Sequence, residues 1–476
     1  MPDVGASRLG RRQFLRLTAG AGASTLAGAR STATAAETVV NDVSRLNPVR
    51  VAGERRPQST DDVRAALREW PGAVSVGGGR FSMGGQIAAP RSLHLDMRAM
   101  NGVVAFDPSR RTIRVQAGAT WRDIQDVIDP HDLSVKTMQS YSNFTVGGSV
   151  SVNCHGRYVG HGPLINSARA LQLVCADGNV LELTPAQRPE LFRAVFGGYG
   201  GLGVVTEVEL DLEPNRRLER VVHDVALEAY PAFFRERVQG DARVVLHNAD
   251  LAPPRFEAPR AISWRTTDKP LTEPARLVPR GADYRMEQSA IWAITELPGG
   301  RHLRDLAEKR VRAKPAVVWR NYEASHDTAS LEPWTRSMST YLLQEYFVPI
   351  AGFVPFARDM ARILAAREVA ALNVSIRHSP ADTTTLLTWA PTEVFSFVLY
   401  YKQRTTERGS AAVRVWTREL LEAVLHHGGR YYLPYRLDAT AEQFGRAYPE
   451  ARVFAALKAR LDPTNRFRNL LWDRYL

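Results

Sequence analysis

Three separated stretches of this chain combine glycine with small hydroxyl residues, a composition that suits close contact with a phosphate-bearing ligand. The first covers residues 77–85, and a strand expected at residues 73–76 runs straight into its three leading glycines. The second runs from Ser140 to Gly156, and the third covers residues 198–203. Glycine lets a backbone approach a ligand closely, and its bare N–H groups bind anions. Taken singly, each stretch is also compatible with a tight turn.

The third stretch reads Gly-Tyr-Gly-Gly-Leu-Gly, which matches the glycine pattern of NAD-binding domains letter for letter. That pattern needs a strand before it and a helix after it. Here the order is reversed, because a helix is expected at residues 191–195 and a strand at residues 203–212. The arginine-rich region that follows closes no strand–helix–strand unit with an acidic residue for the ribose. The order of elements therefore argues against NAD.

Together, and in this order, the three stretches resemble the FAD-binding domain of the vanillyl-alcohol oxidase superfamily, which includes aldonolactone, alditol and decaprenylphosphoryl-ribose oxidases. The resemblance is clear over residues 45–215, moderate in the C-terminal segment and thin over residues 220–425. It implies an α+β fold in which a two-subdomain, PCMH-type FAD-binding domain is joined to an α+β substrate (cap) domain with a large antiparallel sheet. It implies FAD contacts at Gly77, Gly78, Gly79, Arg80, Phe81, Ser82, Ser140, Thr145, Val146, Gly147, Gly148, Val152, Asn153, Cys154, His155, Val205 and Tyr432.

The chain departs from the family pattern at Phe81. Many relatives have a histidine before the serine of the first stretch, and that histidine bonds covalently to the flavin. Phenylalanine forms no such bond, so we expect FAD to be bound non-covalently. Cys154 is expected to pack near the flavin, where a side chain of its size would hinder oxygen and favour a dehydrogenase over an oxidase.

Substrate and catalytic residues are expected from the middle and the end of the chain. The run from Gly429 to Tyr435 resembles the segment of decaprenylphosphoryl-ribose oxidase that returns to the flavin, although that enzyme has a lysine where this chain has Tyr435. In the alternating strand Tyr341–Pro349, the resemblance implies that Gln344 and Tyr346 point at the substrate and that Glu345 faces away. The remaining candidates are His155, Tyr435 and His378 as bases and Arg377 as a charge stabiliser or a clamp for an acidic substrate. For each of these residues, ordinary packing or a polar outer sheet face is the alternative.

The order of elements predicts the division of the chain. Residues 45–215 are expected to form the FAD-binding domain, residues 216–430 the substrate domain, and residues 431–476 a segment that returns to the FAD domain. Length alone requires more than one ordinary core. The pattern also predicts a capped helix over residues 59–69 and a hairpin about Asp177-Gly178-Asn179.

The N-terminus resembles a twin-arginine export signal. Arg11 and Arg12 are followed by Phe14 and Leu15, then by a weakly apolar stretch, and residues 33–35 offer small residues for cleavage. Residues 1–36 are therefore expected to be removed, which predicts a periplasmic or extracellular protein. The two cysteines are too few for a disulfide framework, and the sequence leaves open whether they pair.

The charge and the motif content of the sequence limit the classes of partner that the protein is expected to bind. The formal net charge is +12, and its simplest interpretation is a solvated arginine-rich surface. An anionic substrate or a peripheral contact with membrane lipid is the alternative. We find no nucleic-acid motif, no zinc spacing and no apolar run long enough to span a membrane.

The sequence therefore predicts an FAD-dependent oxidoreductase that oxidises a carbinol of a sugar, alditol, aldonolactone or polyprenyl-phospho-sugar-like substrate, with oxygen or another electron acceptor. A natural-product tailoring flavoenzyme on the same fold and a non-catalytic flavin-binding protein are the alternatives.

Overall fold

The computed structural model describes residues 38–296, 316–333 and 335–476. The predicted export segment, residues 1–36, lies outside the described residues. Among these residues, no helix combines the length and the apolarity that a membrane crossing demands.

The strands, in chain order, are β1 (Thr38–Val40), β2 (Val49–Val51), β3 (Gly53–Arg55), β4 (Val74–Gly77), β5 (Leu93–Asp96), β6 (Val103–Asp107), β7 (Thr112–Gln116), β8 (Leu133–Val135), β9 (Ala168–Val174), β10 (Val180–Leu183), β11 (Val204–Pro214), β12 (Arg217–Asp224), β13 (Val244–Leu251), β14 (Arg260–Thr266), β15 (Val317–Trp319), β16 (Ser339–Pro349), β17 (Ala371–Ser379), β18 (Val394–Arg404) and β19 (Arg430–Tyr431). The α-helices are Thr60–Glu69, Trp121–Ile128, Val146–Ser151, Pro189–Val195, Tyr230–Phe233, Arg285–Glu296, Arg320–Glu323, Phe353–Ala366, Glu407–His426, Ala441–Ala447, Ala451–Leu461 and Leu470–Tyr475.

In the described first half of the chain, β1 pairs with β2, and two larger sheets follow. A small parallel sheet has the order β3-β5-β4, and the helix Thr60–Glu69 precedes its strand β4. Ser59 caps this helix through the Asp62 amide, and the Asp62 carboxylate in turn accepts from the Ser59 amide, so the helix start is fixed locally. An antiparallel sheet has the order β10-β9-β11-β7-β6, with β8 also paired to β11. Buried and half-buried residues alternate along β11, as expected for a strand with one face on the core.

The second half is built on one antiparallel sheet of eight strands in the order β15-β12-β14-β13-β17-β18-β16-β19. The helices Phe353–Ala366 and Glu407–His426 cover one face of it. Phe356 of the first helix packs against Tyr346 and Phe397, and Thr417 of the second accepts a hydrogen bond from Gln344. The opposite face of β16, β18 and β17 is left to build a cavity wall.

The C-terminal residues return to the first half of the chain. Arg466 donates to the carbonyls of Leu67 and Trp70, and the amide of Arg468 donates to the Val74 carbonyl. Lys458 is buried, and its ammonium group bonds the Asp462 carboxylate as well as the Gly201 and Phe467 carbonyls. A buried charge is tolerated only with such partners, so this contact fixes the end of the chain beside the third glycine stretch.

The predicted fold class, α+β with a large antiparallel sheet, is confirmed. The helix over residues 59–69 and the hairpin about Gly178 form as predicted, the latter joining β9 to β10. The proposed domain boundaries at residues 215 and 430 stay predictions.

Candidate functional site

All three glycine stretches lie on one cavity, whose empty space is about 1740 Å³ including its opening to solvent. One side is made by the stretches themselves, and the other by the eight-stranded sheet, the segment at residues 328–336 and the C-terminal run. The lining residues that have charged or hydroxyl-bearing side chains are Arg80, Ser82, Tyr141, Thr145, Ser151, His155, Tyr199, Thr328, Glu332, Arg336, Tyr341, Glu345, Arg377, Tyr400, Tyr432 and Tyr435.

The first and second stretches are joined through the side chain of Thr145. Its hydroxyl oxygen accepts from the Gly79 amide at 3.2 Å and from the Gly148 amide at 3.4 Å, so it also caps the helix Val146–Ser151. A Cβ on Gly78 would overlap this oxygen. Glycine is therefore required at residue 78 for the two stretches to touch.

Backbone hydrogen bonds hold the second stretch to Ala117 and to the third stretch. The Gly147 amide donates to the Ala117 carbonyl at 2.7 Å, and a Cβ on Gly147 would lie 2.8 Å from the Ala117 Cβ. The Tyr199 amide donates to the Ser151 carbonyl at 3.0 Å. The three stretches therefore form one continuous backbone surface.

Gln86 fastens the C-terminal run to the first stretch. Its amide nitrogen donates to the carbonyls of Leu433 and Tyr435, and its oxygen accepts from the Gly84 amide. The Tyr432 hydroxyl donates to the Val152 carbonyl at 2.9 Å. Tyr432 and Tyr435 are thus placed on the cavity wall beside the second stretch.

The sheet contributes one face to the cavity. In register, Glu345 of β16 lies opposite Val398 of β18, and Ser396 lies opposite both Phe347 of β16 and Arg377 of β17. Residues directly opposite each other share a face. Glu345, Ser396 and Arg377 therefore follow one another across three neighbouring strands.

His155 and Glu345 form the polar centre of the cavity. The Nε2 atom of His155 lies 2.8 Å from Oε1 of Glu345, and both side chains are at most 5% exposed. Burial alone would raise the pKa of Glu345, but attraction and hydrogen bonding from His155, together with the charge of Arg377, hold that pKa below its usual value. The site therefore contains a buried carboxylate that is ionised at neutral pH.

The structure brings most of the predicted residues together. The wall includes Gly78, Gly79, Arg80, Phe81, Ser82, Thr145, Gly147, Gly148, Val152, His155, Val205, Arg377, Tyr432 and Tyr435. Five predicted FAD contacts lie behind the wall instead. Gly77 packs on His94, Val146 and Cys154 are core residues, Asn153 bonds Thr385, and the Ser140 hydroxyl is buried without a hydrogen-bond partner among the described residues.

The prediction that Gln344 and Tyr346 face the substrate is wrong. Gln344 donates to the Thr417 hydroxyl at 2.8 Å, and the Tyr346 hydroxyl donates to Gln344 on the helix-covered face of the sheet. Side chains along a strand alternate in direction, so a shift of one residue reverses every assignment. Tyr341, Leu343 and Glu345 face the cavity in their place.

His378 and Cys154 also need correction. His378 points away from the cavity, where its Nε2 lies 2.7 Å from Glu393 and its ring lies 4.4 Å from that of Phe234. Its neighbour Arg377 is the residue of β17 that reaches the cavity. Cys154 is buried in the core and off the cavity wall, so it gives no support to the argument about oxygen; Cys154 and Cys175 are both free thiols.

Glu345 is a charged residue of the cavity wall that sequence reasoning missed. The sequence predicts the strand Tyr341–Pro349, but Glu345 stands one position away from Gln344 and from Tyr346, the two residues predicted to face the substrate. The partner of Glu345, His155, is distant in the chain, so no local pattern joined the two.

The residues present fit FAD. The glycine surface offers backbone to a long ligand, since Gly78, Gly79, Gly147 and Gly148 all line the cavity. A bound cofactor would be held by the first and second stretches and would supply a redox centre to the cavity that His155 and Glu345 line.

Comparison with known proteins supports this interpretation. Residues 51–184, which include the first two glycine stretches, match a family described as FAD binding domain. L-gulonolactone oxidase of Bos taurus is 24% identical over 450 residues, which are 88% of this chain and 94% of that protein.

Two further relatives show where the similarity is concentrated. Alditol oxidase of a Streptomyces species is 32% identical over 163 residues, 33% of this chain and 38% of that protein. Decaprenylphosphoryl-beta-D-ribose oxidase of Mycolicibacterium smegmatis is 24% identical over 426 residues, 85% of this chain and 89% of that protein. Identity is therefore higher in the shorter match than in the two that span most of the chain.

Replacing Gly78 with alanine tests the glycine surface. We expect the Gly78→Ala variant to bind FAD at least about tenfold more weakly. The added Cβ would push the Thr145 hydroxyl away and separate the first two stretches, and overpacking of this kind costs roughly 1–3 kcal/mol. Titration of the apoprotein with FAD measures the change. Gly445→Ala is the matched control, since nothing lies within 4 Å of a Cβ at that helix position. Equal affinity in the two variants would contradict the assignment.

Proposed function

We propose, from the premise that this chain is an FAD-dependent oxidoreductase of the vanillyl-alcohol oxidase superfamily acting on CH–OH groups, that it oxidises a carbinol of a sugar-like substrate with Glu345 and His155 as its proton-accepting pair. One observation carries the proposal. A buried carboxylate, bonded to a histidine, faces the cavity that the three glycine stretches enclose. The names of the relatives, which refer to a lactone, alditols and a phosphoryl ribose, support a sugar-like substrate.

The cofactor is proposed to bind without a covalent bond. Phe81 occupies the position of the linking histidine, and its ring packs on that of Phe144 at a centroid distance of 4.6 Å. The two cysteines lie off the cavity wall. Neither position therefore offers a nucleophile to the flavin ring.

Acid precipitation tests this attachment. We expect the yellow colour to leave with the supernatant when the holoprotein is denatured in acid, and to stay with the protein on filtration at neutral pH. Absorbance of the two fractions measures the distribution. Flavin retained in the washed pellet would show that a covalent bond exists.

When bound, FAD supplies the acceptor for the hydride of the carbinol carbon. The chain must then accept the hydroxyl proton, and Glu345 suits that role because it is ionised and buried. The His155 ring contacts Trp389, Phe347 and Tyr432, which fixes the direction of Nε2 toward Glu345. A positioned base of this kind contributes about 10²–10⁴-fold to the rate.

Tyr435 is a donor in this arrangement. Its hydroxyl lies 3.5 Å from Oε2 of Glu345, and burial, followed by the charge of Glu345, raises the pKa of Tyr435 well above its ordinary value. The phenol therefore keeps its proton at neutral pH. It can orient a substrate hydroxyl or Glu345, and it does not serve as the base.

Glu345→Gln tests the proton-accepting role. We expect anaerobic flavin reduction to slow roughly 10²–10⁴-fold with the bound-flavin spectrum unchanged, because the amide cannot take the proton. In the wild type the rate should fall as the pH drops through the pKa of Glu345, which lies below its usual value, and the variant should lack this limb.

Two variants serve as comparisons for this experiment. Glu393→Gln changes a carboxylate that pairs with His378 and points away from the cavity. The flavin of this variant should be reduced at the wild-type rate. Tyr435→Phe should slow reduction less than Glu345→Gln. Wild-type reduction by Glu345→Gln would end the proposal for Glu345.

Export by the twin-arginine route is proposed from Arg11, Arg12 and the small residues that follow. We expect a variant with Arg11→Lys and Arg12→Lys to remain in the cytoplasm, as cell fractionation would show. A variant with Arg8→Lys and Arg16→Lys keeps the pair and should be exported. Normal export of the first variant would contradict this localisation.

A further inference from the structure

Arg377 differs from the other arginines of the cavity wall. Its side chain faces the cavity, its Nε is buried, and among the residues that the structure describes its guanidinium has no hydrogen-bond or ion-pair partner. Arg377 as a whole is half-buried, and the one N–H donor that is buried, Nε, is costly to leave without a partner. A ligand group that accepts a hydrogen bond in the cavity would satisfy it.

The two other arginines of the wall are already compensated. Arg80 bonds Glu54 at 3.3 Å and Asp96 at 3.2 Å. Arg336 bonds the Thr340 hydroxyl and lies 3.8 Å from Glu332. Both therefore have carboxylate partners, although the Nε of Arg80 is also buried without one, whereas Arg377 has no ion pair among the described residues.

Glu345 attracts Arg377 across the cavity wall but makes no ion pair with it. Glu345 directs Oε1 to His155 and Oε2 toward Tyr435, and no Glu345 oxygen lies within ion-pair distance of Arg377 in the described part of the chain. The two side chains stand two strands apart, on either side of β18. Neighbouring strands are about 4.8 Å apart, so a small molecule can reach both groups at once.

We propose that the substrate carries an anionic oxygen group, a carboxylate or a phosphate, and that Arg377 binds it while the carbinol to be oxidised lies at Glu345. This inference rests on the proposed function and narrows its substrate class from sugar-like molecules to sugar acids or sugar phosphates. The planar guanidinium matches the two oxygens of such a group with paired hydrogen bonds. The anionic group itself takes no part in the reaction.

Three six-carbon probes separate the possible ligands: D-sorbitol is neutral, D-gluconate carries a carboxylate, and D-sorbitol 6-phosphate carries a phosphate. Binding to the oxidised holoenzyme is measured by calorimetry, and kcat/KM by anaerobic flavin reduction. We expect one of the two anions to bind at least about tenfold more tightly than sorbitol, and we expect Arg377→Met to lower that anion-to-neutral ratio roughly 10- to 100-fold. Arg377→Lys should retain part of the ratio.

Arg367→Met is the matched control, because Arg367 is half-exposed on a helix end and pairs with Glu419. It should keep the wild-type ratio. A wild-type anion-to-neutral binding ratio near one would overturn the proposal. A ratio that Arg377→Met leaves unchanged while the flavin potential shifts would also overturn it, because Arg377 would then act on the cofactor. If no probe reduces the flavin, the binding ratio still decides the anion site, and the proposed oxidation is what has failed for this series.

Discussion

The site depends on a single hydroxyl group, that of Thr145. It accepts hydrogen bonds from the Gly79 amide and from the Gly148 amide, so it belongs to the first glycine stretch and to the second at once. The contact is possible only because Gly78 has no side chain. Since the second stretch also holds Tyr199 of the third through Ser151, the whole backbone surface is assembled around this group.

Local chemistry explains how much of this could be predicted. The three stretches, the helix after Ser59 and the hairpin at Gly178 are each specified by residues that are neighbours in sequence, and each forms as predicted. The predicted cofactor residues that reach the wall do so because glycine-rich backbone is visible in the sequence wherever it occurs. What the sequence could not fix was the depth of each residue, since Val146 and Cys154 lie in the core only because other elements pack over them.

The errors at the predicted substrate site fall on two strands, where a shift of one position decides the outcome. Gln344, Tyr346 and His378 were each expected at the cavity, and each has a neighbour, Glu345 or Arg377, that reaches it instead. When a strand has polar residues in consecutive positions, its sequence does not indicate which face points to the cavity, because either face can bury a hydrogen-bonded side chain. The direction is set by the helices that cover the far face, and those lie in later parts of the chain.

The same argument explains why the charged groups of the cavity are informative about its ligand. A buried ionised group is stable only if something compensates it. Glu345 is compensated by His155, whose ring is itself fixed by Trp389 and Phe347, and by the charge of Arg377. Arg377 makes no hydrogen bond or ion pair among the described residues, and its buried Nε has no partner there. The wall therefore carries an ionised proton acceptor and a cation two strands apart, and a substrate that contacts both must carry its hydroxyl and its anionic group on the same short carbon chain.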